Sequence, residues 1–368
     1  MKTRIAATVL ACSVAALAAA SAQADTIRAT SGFGPNHAIA KDVYPAMFAK
    51  LSELTDGRWK GRDTPSGLVA PNEMSTGLRD GVTDFGPLLM PYFIADYPES
   101  AMMSELSMLG SSAQVVSAAV TEYVVTCAPC QAEFKRNGQV YLGSDATPLY
   151  DILSTKPVKT LEDMKGLKIR SGSPFYAAFI EKTGGAPVQM PSSELFESLS
   201  QGVIDATFSS PHEVIANRLG DVVDYVTEIE EGVFNGAATT TASKMLWDRM
   251  SAEDRGALAT ASQYGLVAGV DGFGKQIEEV RAEKLVTFIA PDQSLIDARD
   301  SFNAERLANA ATILEGRGVT DAQAKIDRYK ALIDKWEGLI TPEMTPDELA
   351  ALRTKEIWSK IDLASYGE

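Results

Sequence analysis

Histidine and cysteine are scarce in this chain. His37 and His212 are its two histidines, and Cys12, Cys127 and Cys130 its three cysteines, in 368 residues. No His-Glu-x-x-His pair, double Cys-x-x-Cys set or acidic EF-hand loop occurs. Gly32-Phe33-Gly34 and Gly272-Phe273-Gly274 lack the third glycine of a dinucleotide fingerprint. Gly274-Lys275 is followed by Gln276, so it is no phosphate-binding P-loop, and there is no Gly-x-Ser-x-Gly nucleophile elbow. These absences argue against an enzyme, and no cofactor or metal site is expected. Basic residues are also in deficit. Lys and Arg number 34 against 49 Asp and Glu, for a net charge of −15. Such a field disfavours nucleic acid and anionic membrane surfaces. A site for an anion would have to be a local basic exception.

After the N-terminus no stretch approaches the roughly 20 continuous apolar residues of a membrane span. The N-terminus itself reads as an export signal. Lys2 and Arg4 precede an apolar run over residues 5–20 and then Ala22-Gln23-Ala24, a small-residue cleavage site. Cleavage after Ala24 removes residues 1–24. A lipoprotein reading at Cys12 fits less well, because Val9-Leu10-Ala11 is a poor lipobox. Cys127-Ala128-Pro129-Cys130 then remains, and in an exported protein this pair is expected to be oxidised. A redox role for it is the weaker reading, since residues 118–134 read as helix both entering and leaving the motif. Gln131 replaces the histidine that haem attachment requires.

Along the chain, helix and strand alternate. Residues 26–30 read as a strand. Val43, Met47, Leu51 and Leu54 share a helical face that stops at Asp56-Gly57. Asn72 is a candidate cap for a short helix carrying Met74 and Leu78, and residues 82–89 read as the next strand. Residues 166–170 are again a strand, and Ser173-Pro174 opens a helix with proline at its first position. Residues 187–190 form a short strand, Ser192 or Ser193 caps a helix, and residues 203–208 form another strand. Leu78-Arg79-Asp80-Gly81-Val82-Thr83-Asp84 echoes Leu199-Ser200-Gln201-Gly202-Val203-Ile204-Asp205. The echo is either chance or two domains of similar plan whose strand ends share a cleft. Beyond Leu246 the chain reads mainly as helices.

Certain segments resemble a known family. They are Leu161-Glu-Asp-Met-Lys-Gly-Leu-Lys-Ile-Arg170, Gly185-Ala-Pro-Val-Gln-Met-Pro191 and Gly202-Val-Ile-Asp205, with Phe33-Gly-Pro-Asn-His37, Thr55-Asp-Gly-Arg58, residues 68–86, residues 242–250 and Trp336 in support. They are similar to the DctP family, the substrate-binding proteins of tripartite ATP-independent periplasmic (TRAP) transporters. The likeness spans nearly the whole mature chain. It implies an α/β, two-domain, hinged-trap fold with a long helix spanning both domains and C-terminal helices. The division expected is residues 25–148 plus 236–268 for domain I, 149–235 plus 269–325 for domain II, and 326–368 for helices packing on the body.

The resemblance implies a periplasmic protein, expected to be a monomer, that captures a small organic anion and delivers it to membrane permease subunits. The anion is a carboxylate, with a sulfonate also open. Service to an ABC transporter or a sensor is the alternative, and an exported enzyme using Cys127 and Cys130 ranks last. Arg170 is expected to meet the ligand carboxylate, because a guanidinium offers a charged planar fork. Ser173 and Ser209, or Ser210 if the register slips, are the candidate polar contacts. Phe33, His37, Tyr92, Phe175 and Phe208 are candidate lining residues. Tyr150 stands where several relatives have a second arginine, and Ser192-Ser193 replace a position often aromatic. Both departures weaken a dicarboxylate reading.

Overall fold

A computed structural model describes residues 24–110 and 112–368. The export signal lies outside the described residues. The strands are β1 (Asp25–Ala29), β2 (Trp59–Asp63), β3 (Phe85–Leu89), β4 (Gln139–Gly143), β5 (Asp151–Ser154), β6 (Lys168–Ser171), β7 (Ala186–Gln189), β8 (Ala206–Ser209), β9 (Tyr225–Thr227), β10 (Ala237–Ser243) and β11 (Thr287–Ile289). They form two sheets, one of order β2-β1-β3-β10-β4 and one of order β11-β9-β5-β8-β6-β7. Helices cover both, so the molecule is a mixed α/β fold of two lobes. The chain leaves the first sheet after β4, returns between β9 and β10, and crosses again along one long helix.

The echoed segments occupy equivalent places. Gly81 and Gly202 both take positive φ, +73° and +67°. Asp84 accepts the Arg28 N–H of β1 at 3.0 Å, and Asp205 accepts the Lys168 N–H of β6 at 2.9 Å. Even the neighbouring cations match, since Arg28 donates to the Gly81 carbonyl and Lys168 to that of Gly202. The strands begin later than their patterns predicted, at Phe85 and Ala206. Val82 and Val203 lie in the preceding turns, half-exposed, and the two aspartates bind across rather than along the ladder. Two caps are also corrected. Asn72 does not cap the helix Met74–Arg79, and neither Ser192 nor Ser193 caps the helix Leu195–Ser200. A glutamate with no capping bond precedes each helix instead.

Local chemistry explains the rest. Pro87 has no N–H to give β10, and β10 shifts register between Ala238 and Thr241, opposite it. The helix Tyr44–Leu54 buries Met47 and Leu51 as its spacing predicts, while Leu54 faces outward. The long helix Ala252–Ala282 starts on a Ser251 cap and runs 31 residues, about 46 Å. A side chain at its Gly265 would meet the Val43 carbonyl oxygen at 2.7 Å, and one at Gly269 the Val43 side chain at 2.3 Å. Its far end puts Val280 into the second lobe's core with Leu153 and Val226. Cys127 and Cys130 form a buried disulfide between the helices Ala113–Val125 and Ala128–Arg136. Among the described residues no accessible thiolate remains for exchange chemistry. Near the C-terminus, Trp336 donates to Glu122 at 2.8 Å, and fully buried Arg353 donates to Ser117, Thr121 and Gln263.

Two buried acids sit on the crossings. Asp151 accepts the Glu230 N–H at 3.0 Å. Burial pushes its carboxyl up to about 7, with Glu228 and Glu230 adding and Arg281 opposing. Burial also drives Glu231 well above the usual carboxylate range. A raised value means that the folded chain holds these protons more tightly than the unfolded chain does. For Asp151 that contribution is therefore intact below the ordinary carboxylate value and is lost as pH rises through about 7. Thermal unfolding of Asp151→Asn should show a shallower fall in midpoint than the parent between about pH 5 and 7.5. Parallel curves would contradict the assignment.

Candidate ligand-binding cleft

A cavity of about 40 Å³ lies where the strand ends of the two sheets meet. The loop after β1 supplies Phe33, His37 and Ile39, and the end of β3 supplies Leu89 and Tyr92. Asp145, Thr147 and Tyr150 come from the first crossing, and Phe234 and Ala237 from the return. The second lobe adds Arg170, Ser192, His212 and Glu213, and the long helix adds Phe273.

Arg170 is the penultimate residue of β6 and is buried. Its Nε donates to the Met190 carbonyl at 3.0 Å and its Nη2 to the Tyr92 hydroxyl at 3.2 Å. Its Nη1 is buried without a partner. Among the described residues no carboxylate lies within 4.0 Å of the guanidinium. A side chain at Gly172 would sit 3.2 Å from both terminal nitrogens, so glycine keeps the space that this group occupies. The arrangement is a buried cation with its fork partly free, inside aromatic walls.

The other predicted residues divide. Phe33, His37, Tyr92 and Tyr150 line the cavity with Arg170. Phe33 stacks on His37 with ring centres 4.1 Å apart, and Tyr150 lies between Tyr176 and Phe234. Phe175 and Phe208 do not line it. Phe175 packs on Tyr176 and Phe302, and Phe208 on Tyr176 and Phe179, all in the core. Arg170 pairs with Thr207 across the parallel strands, so period-two alternation turns Phe208 to the other face. Ser173, Ser209 and Ser210 are buried behind the lining. Ser209 donates to Glu213 at 3.5 Å, while the hydroxyls of Ser173 and Ser210 have no partner.

Several lining groups were not among the site residues named from the sequence. His212 is buried with neither ring nitrogen partnered, and burial holds it neutral, far below its ordinary value. Phe273 lies against it at 4.5 Å. Burial lifts Glu213 to about 7, opposed by Arg170, Ser209 and Asn217. Burial lifts Asp145 to about 6, and its Oδ2 has no partner. His37 is pushed down to about 3 by burial, and its Nδ1 accepts the Ile39 N–H at 3.2 Å. His37, His212 and Glu213 bring ligating atoms within 4.8 Å of one another. The Pro211 turn between β8 and the short helix Glu213–Ala216 was the available sequence signal for the last pair.

Two α/β lobes meeting at a cavity with one buried, half-free arginine define a hinged solute-binding protein. The chain belongs to the DctP family, bacterial extracellular solute-binding protein family 7, whose model matches residues 31–283. It is similar to the outer membrane transporter protein TsaT of Comamonas testosteroni, at 24% identity over 86% of this chain and 95% of that protein. It is also similar to the C4-dicarboxylate-binding periplasmic protein DctP of Rhodobacter capsulatus, at 26% identity over 61% of each. Among solved structures, a TRAP solute-binding protein of Bordetella bronchiseptica with bound mandelate superposes with a TM-score of 0.74 at 22% identity, covering 84% of this chain and 99% of that one. One from Rhodoferax ferrireducens with copurified benzoate gives 0.74 at 20% identity, covering 86% and 99%.

Proposed function

We propose that the chain captures a small organic acid with one carboxylate on a flat apolar body, in the periplasm, and passes it to the membrane subunits of a TRAP transporter. Arg170 carries the reading. A buried guanidinium with an unpartnered Nη1 and no carboxylate within 4.0 Å is costly unless a ligand anion completes it. Phe33, Tyr92, Tyr150, Phe234 and Phe273 favour an aromatic or similarly flat body. Mandelate and benzoate in the two structural relatives are of that kind. Arg170 is the single cation among the lining residues, which favours one carboxylate over two.

A thermal-shift panel of benzoate, mandelate, benzenesulfonate and succinate tests this. At a hundredfold excess over Kd a bound acid stabilises the folded chain by about 2.7 kcal/mol. Benzoate or mandelate should raise the unfolding midpoint and succinate should not. A midpoint unmoved by every aromatic acid would sink the reading, and a shift with succinate alone would replace it by a dicarboxylate site.

A further inference from the structure

We propose that His37, His212 and Glu213 hold a divalent transition-metal ion of zinc-like chemistry inside the cleft, and that the organic anion completes its coordination. The second half rests on the organic-acid reading; the first does not.

The donor set is the first reason. Two imidazoles and one carboxylate are the ligands of open zinc sites, where three protein groups leave a position for an exogenous oxygen. Nitrogen donors select zinc, copper or nickel over magnesium and calcium. All three side chains are buried. His212 Nε2 and Glu213 Oε1 are 3.9 Å apart, and all three donors fall within 4.8 Å. Ligands about 2.1 Å from a tetrahedral ion lie about 3.4 Å apart. Side-chain torsions must therefore draw the donors inward by about an ångström, which rotamer adjustment supplies.

Unmet valence is the second reason. Both ring nitrogens of His212 are buried and bonded to nothing. That is unusual for a polar side chain with a purely structural role. His37 gives its Nδ1 only to the Ile39 N–H, and ligation there exchanges one neutral hydrogen bond for a metal bond.

Charge is the third reason. The cavity is lined by one permanent cation, Arg170, and two acids, Asp145 and Glu213. With both acids ionised a monoanionic ligand leaves the pocket two negative charges in excess. A divalent ion brings that sum to zero. His37 belongs to the first lobe, while His212 and Glu213 belong to the second. The ion therefore ties the lobes together, and its open position beside Arg170 suits an acid that chelates through a carboxylate and an adjacent hydroxyl or keto oxygen.

The test uses the full chain, stripped with a chelator and titrated with Zn²⁺ by calorimetry and with Co²⁺ by visible absorption. One ion per chain and cobalt ligand-field bands are expected. His212→Asn and Glu213→Gln should each weaken binding by at least about tenfold while circular dichroism and the unfolding midpoint show them folded. If either variant fails to fold, His37→Gln, at the cavity edge of the other lobe, supplies the same comparison. No saturable binding, or binding equal in parent and variants, overturns the proposal.

Mandelate and benzoate are then titrated into stripped and zinc-loaded protein. Zinc should tighten mandelate, which has the adjacent hydroxyl, more than benzoate. Equal mandelate affinity in both forms removes the ion from the ligand site and leaves the Arg170 reading standing. If neither form binds any acid, the organic-acid reading fails and the metal titrations alone decide the ion site.

Discussion

Replacing Arg170 with methionine is expected to abolish the stabilisation that small organic acids give the folded chain. The side chain is buried, and its Nη1 has no partner. Removing one member of a buried charge pair costs binding about 2–5 kcal/mol, roughly thirtyfold to several thousandfold in Kd. The free protein should behave in the opposite way. A buried cation with no directly paired carboxylate is a burden to the native state, so methionine, of similar length, should leave the midpoint equal or higher. Arg170→Lys should restore little, because an ammonium lacks the fork that reaches Met190, Tyr92 and the ligand together. Calorimetric titration with benzoate or mandelate, beside thermal unfolding without ligand, measures both parts. Retained affinity in Arg170→Met would remove the guanidinium from the site.

Gly232→Ala is expected to be the most damaging single-methyl change in the return crossing. Gly232 takes φ of +106°. A Cβ there would sit 2.4 Å from the Ser107 carbonyl oxygen and 2.9 Å from its carbon, both backbone atoms. That oxygen also receives the Val233 N–H, so it has nowhere to go. Strain and clash together should cost about 3 kcal/mol or more, lowering the unfolding midpoint by roughly 4 °C or more. Ligand affinity should fall too, since the Gly232 carbonyl accepts the Tyr150 N–H at 2.7 Å and so sets one wall of the cleft. Gly57→Ala is the control. Its φ is +76°, but nothing lies within 4 Å of the added methyl, so only the conformational cost remains. A Gly232→Ala midpoint no lower than that of Gly57→Ala would contradict the clash.

What the sequence revealed was local or periodic. The Gly81–Asp84 and Gly202–Asp205 echo was readable because turn chemistry repeats at fixed spacing, and both copies bind the neighbouring strand in the same way. Arg170 was readable because it lies near the end of a strand within a family motif. Phe33, His37, Tyr92 and Tyr150 were also named from the sequence and line the cavity, but other parts of the cleft were not readable. Asp145, His212 and Phe273 come from three distant segments, and no spacing rule joins them. Phe175 and Phe208 misled because adjacency to site residues was taken as orientation. In a strand the next residue points to the opposite face, and in a helix it turns by about 100°. Strand starts at Val82 and Val203 misled because apolar identity outweighed the turn that follows each glycine.

The glycine stripe of the long helix has a mechanical consequence. Gly265 and Gly269 bring its backbone against Val43, and Gln276 donates to the Asn36 carbonyl, so most of the rod travels with the first lobe. The second lobe grips only its last turns, through Phe273, Val280 and the Arg281–Glu228 pair. Residues 277–282 are then a lever arm about 9 Å long beyond the Gln276 tether. A 20° swing of the far lobe would move its tip by about 3 Å, roughly two residues of helical rise.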